Sequence, residues 1–585
     1  MRITQSWQLV SCLFAGLGQV RVARGYALQD IVSSVHGSRG AVASESDICS
    51  RIGIDLIEHG GNAADAMVGT TLCVGVIGMY HSGIGGGGLM LVRDKDGKYE
   101  SIDYRESAPA AAHRDMYRGN VNGSVFGGLA VGVPGELRGL QYLHDKYGAL
   151  PWRAVVKPAV RVARNGFNVT EDLVRYMQFA QEYAGNFLVD DPIWAEDFAP
   201  NGKLVELGDV ITRKRYADTL EKIGREGADA FYKGEIAESM IKLIQETNGT
   251  MTMDDLRNYR AVSRRALSVD FRGYKIFATG APASGAVTLA TLKTMEQYAI
   301  EDGLDTNLTT HRFVEAMRFA YGARTELGDP DFVTNATLFE DLLLSKHKAR
   351  DTAQHILDDR TQPVEAYDPH LEDGDDADDG PSRQQYYAPP GHGTSHIVTA
   401  DASGLTVSST TTINLLFGAV IMTPDTGIIL NNEMNDFSIP GARNEFGFEP
   451  SPANYAAPGK RPLSSVTPAM AELAGNGTLL LATGAAGGSR IISATALALW
   501  NVLERGQPLR EAVAAPRLHD QLMPNEAWFE WTYDNGTVAD MRARGHNVKW
   551  VRLGISAVQG IRRLWDGSFE AVGETRQKNS GGLSI

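Results

Sequence analysis

The chain has 585 residues, enough for about three to five domains or one large composite domain. Its formal net charge of −15 argues against nucleic acid as a partner, because phosphate binding needs clustered Lys and Arg. With 43% hydrophobic residues it can bury a large core, and no run of about 18 uninterrupted apolar residues offers an interior transmembrane helix.

The N-terminus outlines a signal peptide: Arg2, an apolar stretch from Trp7 to Val20, then small residues ending at Gly25-Tyr26-Ala27, where cleavage is expected. Gln19, Arg21 and Arg24 interrupt the outline, so an uncleaved anchor is the alternative. Seven N-x-S/T sequons follow, at Asn122, Asn168, Asn248, Asn307, Asn335, Asn476 and Asn535. Together they read as a eukaryotic secretory glycoprotein, extracellular or vacuolar. Of three cysteines, Cys12 falls in the leader. Cys49 and Cys73 form an even pair that closes a short loop in an oxidising compartment, or else are two buried free thiols.

Helices are expected at Ile52–His59 and Ala63–Val76, separated by Gly60-Gly61. Pro134–Tyr147 opens with proline in its first turn and spaces Leu137, Leu140 and Leu143 helically. Trp152–Arg164 and His311–Leu327 read as further helices, stopped by Asn165-Gly166 and Gly328-Asp329-Pro330. Val269–Ala278 reads as a strand interrupted at Gly273. From Asp358 to Gly393 the chain turns polar, with seven acidic residues in the thirteen of Asp368–Gly380, a composition expected to form a mobile surface segment. Beyond it, Thr394–Ala400, Leu405–Asn414, Gly427–Leu430 and Thr478–Thr483 are β-branched or aliphatic and read as strands. This order predicts two layers of sheet flanked by helices.

Several motifs carry no chemistry. Gly83–Gly88 contains G-x-G-x-x-G but lacks the preceding strand and following helix of a dinucleotide site, so close-packed backbone is the better reading. His392 and His396 stand four apart without the intervening Glu of a zinc helix, and the glycines beside them oppose a helix. No cofactor or metal is expected.

Thr394 is different. It follows Gly393 at the start of a β segment. If the Gly393–Thr394 bond were cut, the new α-amino group, with a reference pKa of about 7.7–8.0, could take the hydroxyl proton near neutral pH. Spacing alone leaves the bland reading, a strand-starting threonine, in front.

The surrounding text overturns that order. Thr394-Ser395-His396, Thr412-Ile413-Asn414, Asn431–Ser438, Pro462–Ser465 and Thr483–Arg490 resemble the γ-glutamyltranspeptidase (glutathione hydrolase) family. So do Gly60–Ala66, the glycine run and Asp103–Pro109, in the same order, and the likeness spans roughly residues 40–585. The resemblance implies an α/β N-terminal-nucleophile hydrolase, an αββα sandwich of two stacked sheets, made as a precursor that cuts itself. The implied parts are a large subunit, 28–393, and a small catalytic one, 394–585, held as a heterodimer.

Carried over residue by residue, Thr394 is the nucleophile and Thr412 orients it. Gly487 and Gly488 offer N–H groups to the oxyanion. Arg105 holds the α-carboxylate of a γ-glutamyl substrate, with Ser464 and Ser465 as hydroxyl donors. Asn414, Glu433 and Asp436 receive its α-ammonium. Cys49 and Cys73 fall where animal members have a disulfide. Asn435 replaces an acid common before Asp436, and Ile439–Gly459 shows no family-wide lid signature. The implied partners are glutathione and other γ-glutamyl compounds, with water, amino acids or peptides as acceptors. Rival readings are a related acylase on another amide and an unprocessed, non-catalytic glycoprotein; Arg105, Glu433 and Asp436 oppose the first.

Overall fold

The computed structural model describes residues 37–299, 306–367, 392–442 and 450–585; the segment where a signal peptide is expected and the most acidic stretch lie outside them. Strands are numbered along the chain. One seven-stranded sheet runs β18 (Gly581–Ser584), β1 (Gly40–Ser44), β9 (His392–Asp401), β10 (Thr406–Leu415), β2 (Gly87–Arg93), β3 (Tyr99–Tyr104), β6 (Val262–Arg264). A six-stranded sheet runs β17 (Phe569–Val572), β16 (Ala557–Arg563), β12 (Leu479–Ala486), β11 (Ala469–Leu473), β8 (Tyr274–Thr279), β7 (Ala266–Phe271). Both are antiparallel throughout. The ribbon β4 (Phe167–Asn168) with β5 (Val210–Ile211), and the small sheet of β13 (Leu518–His519), β14 (Ala527–Glu530) and β15 (Val548–Val551), lie outside them.

Strand parity builds four layers. Along β9, Val398 and Ala400 join Ala41, Leu91, Met470, Ala482 and Ile561 in an apolar cluster drawn from both sheets, so this face looks across at the second sheet. Ile397 points the other way, into the core shared with helices Asp47–Glu58 and Ala63–Ile77. The second sheet packs its outer face, through Val269, Ile276, Ala471 and Leu481, on helices Gly285–Met295, Thr306–Arg324 and Arg490–Leu503. Each fully buried aliphatic side chain contributes about 1.5–3 kcal/mol to this arrangement. The αββα expectation is met.

Helix Ala63–Ile77 is buried on every side, which its small Ala, Gly and Val residues permit. Asn62 caps it by accepting from the N–H groups of Ala64 and Asp65, while Asp65 accepts from the Asn62 N–H. A disulfide joins Cys49 to Cys73 across the two helices, Cα–Cα 5.3 Å, so the two are not free thiols.

Several expectations change. Val269–Ala278 is two strands, because Arg272 and Gly273 both adopt positive φ and reverse the chain. The aliphatic run Gly427–Leu430 is a loop with one isolated bridge, Met422 to Ile429. The polar segment was expected to be loose from Asp358. Instead Arg312 holds Asp358 through two 2.7 Å bonds, Thr361 N–H reaches the Arg544 carbonyl at 2.8 Å, and Tyr367 is buried. Among the described residues no helix is long and apolar enough to cross a membrane.

Candidate active site

Parity places Thr394 and His396 on the inner face of β9 and Ser395 on the helix side. Thr394 is buried and stands directly opposite Thr412 of β10. A β-bulge at Ile413 then shifts the register, so Asn414 pairs with Gly393 and takes a left-handed φ of 69°. The bulge also fixes the Thr412 hydroxyl: it accepts from the Asn414 N–H at 2.7 Å and donates to the Gly393 carbonyl at 2.5 Å. Gly393 sits tightly: a Cβ there would lie 3.0–3.1 Å from the carbonyl oxygens of Asn414, Leu415 and Tyr80, so a side chain would require these carbonyls to give by a few tenths of an ångström.

The glycine run is close-packed backbone, as expected. A Cβ on Gly86 would lie 2.0 Å from the Thr412 carbonyl, and one on Gly88 2.1 Å from that of Thr410. His392 and His396 belong to a strand, where four residues span about 13 Å, too far to share a metal. His396 instead bonds Thr410 Oγ1 at 2.8 Å, and burial drives its pKa down to about 3, so it is neutral. Its ring sits where a Cβ on Gly484 of β12 would be, 2.3 Å away. Ser408 reaches the Thr483 carbonyl at 3.1 Å, so moving along β10 and β9 toward Thr394 follows β12 toward Gly487 and Gly488. These two have φ of 130° and 62° and open onto helix Arg490–Leu503.

Thr412 pairs with Gly87, and Gly88 with Tyr104, so Arg105 leaves β3 about three strand spacings, about 14 Å, from Thr394. Its guanidinium is fully buried. One Nη donates to Glu433 Oε1, the other to Asp436 Oδ2, and Nε to the Pro462 carbonyl at 3.3 Å. Burial alone would lower its pKa, but Glu433 and Asp436 outweigh that and keep it charged. Burial pushes Glu433 and Asp436 up, opposed by Arg105. A third acid, Glu106, lies 3.9 Å from the same guanidinium, and burial lifts it to about 8. Three acids thus compete for one buried cation.

The turn carrying Glu433 is fastened to β10: Asn414 donates to the Asn432 carbonyl at 3.0 Å, and Asn432 Oδ1 accepts from the Leu415 N–H at 3.0 Å. Ser464 Oγ accepts from the Val466 N–H at 3.2 Å, and Ser465 Oγ from Arg324 at 3.4 Å. The expected site residues therefore sit along one connected set of elements. Sequence reading missed Arg324, a buried guanidinium whose field reaches Asp436 and whose pKa burial lowers to about 10. It gave Glu106 no role. It also missed a buried cluster of His311, Glu315 and His546, whose nitrogen and oxygen atoms lie within 4.8 Å of one another. His311 already bonds His546 at 2.9 Å and the Leu357 carbonyl at 2.8 Å, and Glu315 takes Thr361 and Tyr367 hydroxyls, so these groups clasp the segment leading to Tyr367.

Two stacked antiparallel sheets between helix layers, with Thr394 near the start of a central strand, give the αββα architecture of the N-terminal-nucleophile hydrolases. A crystal structure of cephalosporin acylase from Bacillus halodurans shares the fold, with TM-score 0.80 at 24% identity over 97% of this chain and 99% of that one. That of Helicobacter pylori gamma-glutamyltranspeptidase matches 60% of this chain and 100% of its own, with TM-score 0.53 and 28% identity. The glutathione hydrolase proenzyme of Arthroderma benhamiae is 49% identical over 570 residues, 95% of each chain. The family profile described as Gamma-glutamyltranspeptidase matches residues 49–583. The chain belongs to the γ-glutamyltranspeptidase family.

Proposed function

We infer that this enzyme is a self-processing glutathione hydrolase and γ-glutamyltransferase that cuts its own Gly393–Thr394 bond. The observation that carries the reading is the Thr412 hydroxyl aimed at the Gly393 carbonyl oxygen. Thr394 Oγ adds to that carbonyl, the C–N bond breaks, and nitrogen takes the proton. Water then hydrolyses the resulting ester, leaving a Gly393 carboxylate and an N-terminal Thr394. Its α-amino group serves as the base for turnover. The strand order supports a heterodimer that survives the cut: β1 of the large subunit lies between β18 and β9 of the small one.

In turnover Thr394 attacks the γ-amide carbonyl, and Gly487 and Gly488 N–H groups take the developing oxyanion. Cysteinylglycine leaves glutathione with the proton, and water or an acceptor amine releases the γ-glutamyl group. The substrate's α-amino acid head carries both signs. Its carboxylate takes the Arg105 guanidinium, with Ser464 and Ser465, while its ammonium takes Glu433, Asp436 and Asn414. That exchange gives each charge of the substrate an opposite partner in the site, with the one ammonium shared by Glu433 and Asp436. An acyl group without this head would find Arg105, Glu433 and Asp436 already paired with one another and would gain nothing from them, which disfavours a general acylase.

Entry into the secretory pathway, to the vacuole or outside the cell, fits the disulfide and the sequons. Six of the seven asparagines are exposed, whereas Asn307 is half-buried and accepts from Thr537.

The test is N-terminal sequencing of the small fragment together with product analysis on glutathione. A fragment starting at Thr394, with release of cysteinylglycine and formation of γ-glutamyl dipeptides when an acceptor is added, is expected. Thr394→Ala should remain one inactive chain. A fragment beginning elsewhere would overturn the assignment.

A further inference from the structure

On the helix side of β9, behind the nucleophile, lies a buried carboxylate that the catalytic cycle above does not use. Glu45 sits between β1 and helix Asp47–Glu58 and is buried. Its Oε1 accepts from the Ser395 hydroxyl at 2.8 Å. Its Oε2 meets His81 Nδ1 at 3.1 Å and accepts from Gln577 at 3.3 Å, and Gln577 is held in turn by Gln559 at 3.0 Å. The position is built for this side chain: a Cβ on Gly78 would lie 2.0 Å from Glu45 Oε1.

The two ends of this bridge flank the bond to be cut. Ser395 is bonded directly to Thr394. His81 follows Tyr80, whose carbonyl oxygen is one of the three that crowd Gly393 and also accepts the Phe417 N–H at 3.1 Å. The His81 carbonyl accepts the N–H of Ile413, the bulge residue that sets Thr412 and Asn414, at 3.0 Å. The imidazole is gripped by the rings of Tyr80 and Tyr176, at 4.5 and 4.3 Å. One carboxylate thus links the residue after the nucleophile to the wall behind Gly393 and to the bulge that aims the Thr412 hydroxyl.

We propose that Glu45 is a positioning residue for self-cleavage, tying Ser395 and His81 together across the Gly393–Thr394 bond so that the scissile carbonyl stays against Thr394 Oγ and Thr412. It takes no proton and forms no bond in the reaction. After the cut, Gly393 no longer has to be held and the demand on Glu45 ends. This inference rests on the reading of Gly393–Thr394 as the processing site.

The experiment follows conversion of full-length precursor on denaturing gels for wild type, Glu45→Ala, Glu45→Gln and Ser395→Ala, then measures glutathione turnover per cleaved molecule. Glu45→Ala should convert on the order of tenfold to a hundredfold more slowly, the scale of misplaced reacting atoms. Glu45→Gln keeps an acceptor for Ser395 and should recover most of the rate, with Ser395→Ala between the two. Cleaved material from each should retain kcat/KM within about threefold, a split that a general packing defect would not give. Conversion at the wild-type rate in Glu45→Ala would overturn the proposal, and so would equal losses in conversion and turnover. If Glu45→Ala yields no folded chain, Glu45→Gln and Ser395→Ala decide by the same two readouts. A wild-type fragment that does not begin at Thr394 removes the processing site itself; a correct fragment with an unaffected Glu45→Ala removes only this proposal.

Discussion

The hydroxyl of Thr412 donates to the carbonyl oxygen of Gly393 at 2.5 Å, across the β9–β10 pair. The bond polarises the C=O that Thr394 would attack and sits where negative charge grows during the attack. Thr412→Val keeps the shape and removes the donor, so precursor conversion should slow by about 10²–10³, the scale of a lost oxyanion donor. Thr412→Ser should convert nearly normally. Half-times read from denaturing gels decide, and a Val variant that matches wild type would remove Thr412 from the mechanism.

Arg105 pairs with both Glu433 and Asp436 in a buried cluster. Arg105→Ala strands both acids, a loss of about 3–5 kcal/mol of stability by analogy with broken buried pairs. Arg105→Lys keeps the charge and loses the two-pronged contact, so it should fold better and bind glutathione less tightly than wild type. In both variants the cut should still occur, because it needs no substrate, and KM for glutathione should rise. Unchanged kcat/KM in correctly cleaved Arg105→Ala would sink the substrate assignment while leaving Thr394 as nucleophile.

How much of this was legible depended on whether a signal was local. Helix Ala63–Ile77 and strands β9 and β10 stand where periodicity put them, and the candidate site residues could be named because family motifs carry them in short runs. Strands β1, β3 and β6 were missed; they are short and owe their state to neighbours far along the chain. Gly427–Leu430 has strand composition but folds as a loop, because Leu430 N–H bonds Ile421 and Asn431 N–H bonds Gly85 instead of a ladder. Glu45 was invisible for a related reason: its partner Ser395 lies 350 residues away, and nothing local marks a glutamate as buried. Gly484 makes room for a ring on the facing sheet, a demand that no neighbour in sequence displays.

The Cys49–Cys73 bridge closes a loop of about 25 residues, which the loop-entropy model values at roughly 3 kcal/mol. A Cys49→Ser/Cys73→Ser double variant should therefore unfold at lower denaturant. Once folded it should still cut at Thr394, since neither cysteine belongs to β9 or β10. Peptide mapping without reductant should recover the two cysteines linked; recovery of both as free thiols from native protein would refute the bridge.

Glu136 offers a pH test independent of catalysis. It opens helix Glu136–Tyr147, is fully buried, and accepts the Thr411 hydroxyl. Burial lifts its pKa to about 8, against the pull of that hydrogen bond. In the unfolded chain it titrates near 4.3. Between those values the folded state binds more protons than the unfolded one, so the free energy of unfolding falls as pH rises. The contribution is intact below about pH 4.5 and lost by about pH 8, at up to a few kcal/mol. Glu136→Gln mimics the protonated acid and cannot ionise. In the uncleavable Thr394→Ala background it should match its parent's stability at about pH 4 and exceed it at about pH 8. Thermal or denaturant unfolding at the two pH values measures this. A parent and a Gln variant with the same pH dependence would show that Glu136 ionises freely in the fold.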